Sequence, residues 1–459
     1  MKAIIYLASL LPLTLAAQTT ETDTTLNAYA AGYVANFTCS ATFNGGKTAG
    51  QIREDELTGI YPLIADRVST LRADVDTDNK RVVVAYDNGK HQRISVWRPR
   101  LGCVDLPVGA SLDDAARVMS PFAESQPEPD DGSPWTTRQT VNTPTGNAQL
   151  DKVIANAFTR HYGEGARTSA VLIATPDRIV AEHYKAGFTP DTAQRTWSVA
   201  KSIGASVIGV AVAQGRVDVK KPAGLENWSH PLDPRGKITL ENLLHMASGL
   251  DSNVAGNRTD RLYMGGGLVS DTATETALEV APGTRWKYAN NDTLLALRTL
   301  RETFSDETDY LTFPYTELLD KIGMKHTYLE TDWQSDFILS SQVWTTARDL
   351  ARLGLLHLNN GRWGNQQILP ENWLTYISTP APAQPGEGRP GYGAQWWLYN
   401  ERFSELPDDT LAARGNRGQF LVIIPSRQLV IVRRGYDLAG QPGFSEHDFT
   451  RDVLKALQQ

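Results

Sequence analysis

Short apolar runs rich in β-branched residues, each paired with a second run across a turn, recur three times along this chain. Lys80–Tyr86 and Gln92–Trp97 flank Asp87-Asn88-Gly89, Ser169–Ala174 and Arg178–Tyr184 flank Thr175-Pro176-Asp177, and Gly418–Ile424 and Gln428–Arg433 flank Pro425-Ser426-Arg427. Each set predicts an antiparallel hairpin. Helical periodicity marks Leu150–His161, Thr345–Asn359, Trp373–Ile377 and Phe449–Leu457. Gln51–Leu71 mixes helix and loop, and residues 238–340 break into helical pieces separated by Gly and Asn loops. One predicted helix stands apart. From Ser198 the chain is apolar nearly all round, through Val199, Ala200, Ile203, Val207, Ile208 and Val210, until Gln214-Gly215 stops it. Such a helix belongs in a core.

Strand hairpins at both ends of a segment, with helices between, imply an α/β (α+β) fold. An antiparallel sheet is flanked by terminal helices and interrupted by a helical insertion. Residues 141–459 form this domain, with the insertion at about 238–340. Residues 18–140 form an appended N-terminal region joined through the Pro-, Asp-, Ser- and Thr-rich stretch Ser125–Pro144. It is expected to pack against the downstream domain or shape a cleft entrance. Residues 1–17 have one lysine, a short apolar run and small residues at Ala16 and Ala17, the pattern of a cleavable secretory signal. The expected location is therefore secreted or periplasmic, without a lipid anchor.

Composition narrows the partners. A formal net charge of -7 argues against a nucleic-acid or anionic-membrane partner. The two cysteines, Cys39 and Cys103, suggest one disulfide in an oxidising compartment, with two separate buried thiols as the alternative. Asn36, Asn227, Asn257 and Asn291 head N-x-S/T sites, which matter only in a glycosylating source. The eight histidines include no metal-ligand pair, so no metal or other cofactor is expected. For His245 a structural hydrogen bond is favoured over catalysis.

Ser198-Val199-Ala200-Lys201 is the one S-x-x-K of the chain. On a helix the hydroxyl and amine share a face, and burial would favour the neutral amine, a base for the hydroxyl. Chance supplies such a tetrapeptide in a chain this long, and a capping serine beside a solvated lysine is the plain alternative. Thr196 and Ser198 could both cap the helix, whose positive end would favour an oxyanion. Tyr288-Ala289-Asn290, inside the helical insertion, offers a second proton carrier. Tyr86-Asp87-Asn88 has the same spacing but is hairpin chemistry. Asn416-Arg417-Gly418-Gln419 leads into an apolar strand whose Gln419 N–H is a candidate second oxyanion donor beside that of Ser198. Asn290, Asn416, Gly418 and Trp197 complete the candidate substrate-binding set, and Trp197, Trp396 and Trp397 are candidate cleft aromatics, each as readily core.

Taken in order, Thr196-Trp197-Ser198-Val199-Ala200-Lys201-Ser202-Ile203, Leu243-Leu244-His245-Met246-Ala247-Ser248-Gly249-Leu250, Tyr288-Ala289-Asn290, Trp344–Leu350 and Tyr392–Trp397 resemble the β-lactamase class C family of serine hydrolases. The resemblance covers about residues 145–459. It implies a β-lactamase/penicillin-binding-protein-like fold with the active site between sheet and helical domain. It also implies Ser198 as nucleophile, Lys201 as base and Tyr288 as second proton carrier. The third motif departs from the family, which carries Lys-Thr-Gly or His-x-Gly where this chain has Asn416-Arg417-Gly418. Asn416 is uncharged, and strand alternation turns Arg417 to the other face. The expectation is therefore hydrolysis of small esters or amides, closest to the nylon-oligomer (aminohexanoate-dimer) hydrolase and family VIII esterase branch. A β-lactamase or D-alanyl-D-alanine peptidase, and a non-hydrolytic penicillin-binding or envelope binding protein, are the alternatives. A G-x-S-x-G nucleophile turn is absent.

Overall fold

A seven-stranded antiparallel sheet organises the molecule, and its period-2 alternation sorts two cores. The computed structural model describes residues 14–123, 141–252, 260–400 and 403–458. Four strands precede the main sheet: β1 (Ala73–Asp76), β2 (Arg81–Tyr86), β3 (His91–Arg98) and β4 (Gly102–Asp105), paired in that order. Then come β5 (Thr168–Thr175), β6 (Arg178–Tyr184), β7 (Gln194–Arg195), β8 (Tyr328–Leu329) and β9 (Val343–Thr345). A small hairpin, β10 (Arg362–Trp363) with β11 (Gln366–Gln367), leads to β12 (Gly391–Tyr392), β13 (Trp397–Leu398), β14 (Leu411–Gly415), β15 (Gln419–Ile424) and β16 (Leu429–Gly435). The main sheet runs β12-β13-β14-β15-β16-β5-β6, all antiparallel, and β7-β9-β8 form a separate three-stranded sheet.

Successive residues on these strands enter opposite cores, as the pleat requires. Ala170, Leu172, Leu421, Ile423, Val430 and Val432 face the large core with the helical insertion and the helix Val199–Ala213. Val171, Ile173, Phe420, Val422, Leu429 and Ile431 face the terminal helices Ala148–Ala157 and Glu446–Leu457. The expected helices and hairpins of this domain are present, with ends displaced by one to a few residues.

The N-terminal region holds an element the residue pattern did not suggest. Thr14–Phe43 is a 30-residue helix, lying across β2, β3 and β4. It is rich in Thr, a poor helix former, and residues 30–41 are buried on every side, so no amphipathic stripe marks it. Gly32 shows why small residues are needed. A Cβ there would lie 1.9 Å from the Met264 carbonyl oxygen and 2.4 Å from Arg93 Nη1. Of the expected leader, residues 1–13 lie outside the described residues, and Thr14 already opens this helix. Residues 124–140 of the expected linker, and Asn257, also lie outside them. Asn36 and Asn291 are buried, which sets them apart from the exposed Asn227 as glycan acceptors.

Cys39, on the long helix, is bonded to Cys103 of β4 with the Cα atoms 6.1 Å apart. The joint to the main domain is polar and buried. Glu330 accepts from Ser40 Oγ at 2.5 Å and from the Cys103 N–H at 3.2 Å, while Lys47 Nζ reaches the Tyr436 hydroxyl at 2.6 Å. Closing a loop with a sequence separation of 64 restricts the unfolded chain, an effect worth about 4 kcal/mol in the loop-entropy account. Cys39→Ser/Cys103→Ser is therefore expected to lose about 2–4 kcal/mol in urea unfolding. A loss below about 0.5 kcal/mol would show that the joint alone holds the helix.

Candidate active site

The chain enters the site on the two-residue strand β7, which pairs with β9. It then turns through Trp197 at φ +50° and starts the helix Val199–Ala213 with Ser198 at its N-cap. The Ser198 side chain makes no capping bond and Lys201 is buried, so the plain alternative of a capping serine beside a solvated lysine does not hold. Lys201 Nζ lies 3.4 Å from Ser198 Oγ, and the Tyr288 hydroxyl hydrogen-bonds the same side chain. Amine and phenol therefore meet at the Ser198 hydroxyl oxygen.

Lys201 is 1% exposed. Its amine donates to Asn290 Oδ1 at 2.6 Å and to the Ser340 carbonyl at 2.7 Å. Both acceptors are neutral, so burial dominates and brings the amine down from 10.5 to about 7. At neutral pH a large share of Lys201 is free base. Tyr288 moves the other way. Burial pushes its phenol up to about 12, against the opposing effects of the Ser198 bond and the Arg414 charge. It is a neutral donor, not a phenolate. Asn290 opens the helix Asn290–Arg301, and its side-chain oxygen accepts from the Lys201 amine.

The backbone beside Ser198 lies three residues upstream of the expected Gln419 position. A Cβ on Gly415 would lie 2.2 Å from the Thr196 carbonyl and 3.3 Å from the Ser198 nitrogen, so β14 runs hard against the start of the serine helix. Strand β13 pairs only with Leu411 and Ala412 of β14, leaving the Gly415 end bare on that side. The peptide following Gly415 is thus the backbone beside Ser198, and Asn416 lines the cleft there. Gln419, the expected oxyanion donor, is elsewhere. It is 1% exposed, and its side chain accepts from Arg434 Nε at 2.8 Å and donates to the Arg417 carbonyl. Gly415 and Gln419 are cross-strand partners, so the expected donor falls on the next strand. Gly418 borders the cleft, but the space above its Cα is filled by Arg433 Nη1.

Arg417 turns away and donates to the Asp55 carbonyl at 2.6 Å and the Thr58 carbonyl at 2.8 Å, in the N-terminal region. Arg414 is the cation facing Tyr288. Its Nε pairs with Glu446 at 2.6 Å, and 34% of its side chain remains open.

These groups border a cavity of about 870 Å³ that Ser198, Tyr288, Trp397, Arg414, Asn416 and Phe403 help to line. Trp397 stacks on Tyr288 with ring centroids 5.5 Å apart. Of the three tryptophans, only Trp397 lines this cavity. Trp396 is buried against His357, and Trp197 points into the N-terminal core beside Phe37 and Tyr61, which removes it from the substrate-contact set. His245 lies against Tyr376 with ring centroids 5.9 Å apart, outside the cavity. Gln395, unmarked as a functional residue in the sequence, holds the frame. At φ +64° it donates to the Leu244 carbonyl at 2.9 Å, accepts from Thr293 at 2.8 Å, and its own carbonyl accepts from Ser202. Among the described residues no group of acidic, His or Cys side chains could hold a metal ion.

With this geometry in view, residues 154–434 match the family model described as Beta-lactamase. Over 300 residues the chain is 28% identical to the 6-aminohexanoate-dimer hydrolase of Paenarthrobacter ureafaciens, covering 58% of this chain and 72% of that protein. In structure it is similar to a family VIII carboxylesterase (TM-score 0.56, 15% identical, 70% of this chain and 99% of that one). It is comparably similar to a penicillin-binding protein homologue from Caulobacter crescentus (TM-score 0.55, 14% identical, 70% and 98%). At these identities the structural likeness is one of fold.

If Lys201 must be neutral to act, kcat/KM rises as pH passes upward through about 7 and then levels off. Burial also raises Asp292 to about 7. The acidic limb is nevertheless expected to stay in place in Asp292→Asn; a limb that moves with this substitution would take the assignment from Lys201.

Proposed function

The chain belongs to the Beta-lactamase family, whose members share a serine-hydrolase fold, and from that premise we propose that it is an exported hydrolase of small esters and linear amides. The acyl group passes through Ser198. The observation that carries this reading is a buried amine, without a carboxylate partner, placed 3.4 Å from a serine hydroxyl that also bonds a neutral phenol.

In the proposed cycle, neutral Lys201 takes the Ser198 proton as Oγ attacks the carbonyl carbon. The carbonyl oxygen becomes an oxyanion held by the Ser198 N–H, at the positive helix end, and by the backbone N–H of Asn416. As the tetrahedral intermediate collapses, the bond to the leaving group breaks and Tyr288 supplies its proton. The Lys201 ammonium then returns a proton to the Tyr288 oxygen, restoring both groups. Water repeats the sequence on the ester carbon and releases Ser198.

Esters and linear amides are favoured because no lysine or histidine stands at the third motif, and Arg414 is already paired with Glu446. A β-lactamase or D-alanyl-D-alanine peptidase is the second reading, favoured by the open third of the Arg414 side chain, which could meet a substrate carboxylate. Export is supported by the residue pattern of 1–17 and by the Cys39–Cys103 bond, since disulfides persist in oxidising compartments.

A fluorophosphonate probe is expected to label the wild type, and Ser198→Ala is expected to abolish labelling. A wild type that stays unlabelled would refute the hydrolase reading in favour of a non-hydrolytic binding protein. Nitrophenyl esters, aminohexanoate dimer and a chromogenic cephalosporin assayed side by side should give turnover for the first two classes. Preferential turnover of the cephalosporin would establish the second reading instead. Tyr288→Phe should lower kcat by roughly 10²–10⁴-fold with the fold intact, the range typical of a lost proton-transfer group; near-normal kinetics would remove Tyr288 from the cycle.

A further inference from the structure

Three positions before Ser198, the chain buries a cation that the proposed cycle does not use. Arg195 is 2% exposed, and its Nη1 and Nη2 have no hydrogen-bond partner among the described residues. They lie instead among aromatic faces. The guanidinium carbon is 3.9 Å from the Trp197 ring centroid, 4.1 Å from that of Phe37 and 5.5 Å from that of Tyr263. Its remaining donor, Nε, bonds the Ser341 carbonyl at 3.2 Å. A buried charge without an opposite charge at hydrogen-bond distance is costly, which makes its location informative.

Two of these contacts, those to Trp197 and Ser341, lead to the Ser198–Lys201 pair. Trp197 immediately precedes Ser198 and holds φ +50°, a left-handed conformation that is unfavourable for a bulky residue and persists only where its surroundings over-determine it. Ser341 immediately follows Ser340, whose carbonyl accepts from Lys201 Nζ at 2.7 Å. One guanidinium therefore ties the turn that presents the nucleophile to the segment that holds the base. Two further aromatic contacts on Trp197 come from outside the family-matched residues 154–434. Phe37 lies 5.7 Å from the Trp197 ring, and Tyr61 packs edge-on against it at 6.1 Å and 76°.

We propose that Arg195 is a positioning residue that clamps Trp197 to the Ser340–Ser341 segment, and that the N-terminal region completes this clamp through Phe37 and Tyr61. The proposal rests on the hydrolase reading of Ser198 and Lys201. The N-terminal region thereby sets the angle at which Ser198 leaves the turn, acting from behind the site without contacting substrate.

The test uses the full chain and compares Arg195→Met, Arg195→Lys and Phe37→Leu by phosphonate labelling rate, by kcat and KM on a nitrophenyl ester, and by melting temperature. Arg195→Met removes the charge and the Ser341 bond, and is expected to lower kcat by roughly tenfold to hundredfold, the scale of a small misplacement of reacting groups. KM should stay within about twofold, because substrate contacts are untouched. Arg195→Lys, which keeps a cation over the rings, should recover part of that loss at a similar melting temperature. Phe37→Leu should lower kcat severalfold and keep KM. Should Arg195→Met fail to fold, Phe37→Leu decides. Wild-type labelling together with unimpaired variants, or Lys no better than Met at matched stability, overturns the clamp alone. Absence of wild-type labelling overturns the hydrolase reading and the clamp with it.

Discussion

Burial of the Lys201 amine without a counter-charge is the constraint that the rest of the molecule serves. Lowering that amine from 10.5 to about 7 corresponds to roughly 5 kcal/mol of disfavoured ammonium. The fold sustains this cost only where water is kept out and neutral acceptors are held in place. Asn290 comes from the head of one helix, Ser340 from the approach to β9, and Ser198 from the turn after β7. A carboxylate at any of these places would restore the ammonium and remove the base. The same desolvation acts in the opposite sense on Tyr288, raising it to about 12. One dry environment thus yields a free amine and a protonated phenol, an acceptor and a donor on either side of one hydroxyl.

Holding three distant segments at one point requires stiff connections, and the molecule makes them from buried polar side chains. Gln395 joins the helices carrying Ser202 and Thr293 to the Leu244 turn. Arg434, fully buried on β16, donates to the Thr345, Gln194 and Arg195 carbonyls and fastens the main sheet to β7 and β9. Arg417 reaches across to Asp55 and Thr58, and Glu330 gathers Ser40, Asn44 and Cys103. Such contacts add little net stability for the desolvation they incur, yet their directionality specifies one arrangement over near alternatives. The N-terminal region is consequently continuous with the catalytic domain in its packing, sharing a core with Trp197, Tyr263 and Met264.

Local chemistry explains which features were legible in advance. The three hairpins announced themselves by turn residues between β-branched runs, because turn geometry depends on the residues of the turn itself. The pair of Ser198 and Lys201 was legible because helical spacing alone sets them on one face. Where the outcome depended on long-range partners, the residue pattern misled in characteristic ways. The helix Thr14–Phe43 carries no helical signature in its residue pattern because burial of residues 30–41 on every side erases the polar face that marks a helix. Gln419 stood in for the Gly415–Asn416 peptide because strand register across the β14–β15 hairpin is not written in the glycine pattern. Trp197 resembled a cleft aromatic because its left-handed backbone, which sends the ring backwards, follows from packing against Phe37 and Tyr61 rather than from tryptophan's own preference.

By itself, the sequence determined the reacting types and their local spacing: a serine and a lysine on one helical face, a tyrosine preceding an asparagine, a third motif without its lysine or histidine, and two cysteines able to pair. These follow from short-range geometry, which few residues suffice to specify. Tertiary structure alone decided that Lys201 is dry, that Tyr288 is a neutral phenol, that Arg414 rather than Arg417 is the guanidinium facing Tyr288, and that Phe37 and Tyr61 of the N-terminal region pack against Trp197. Each of these depends on desolvation or on a contact between residues far apart in the chain, and both come into being only when the segments pack.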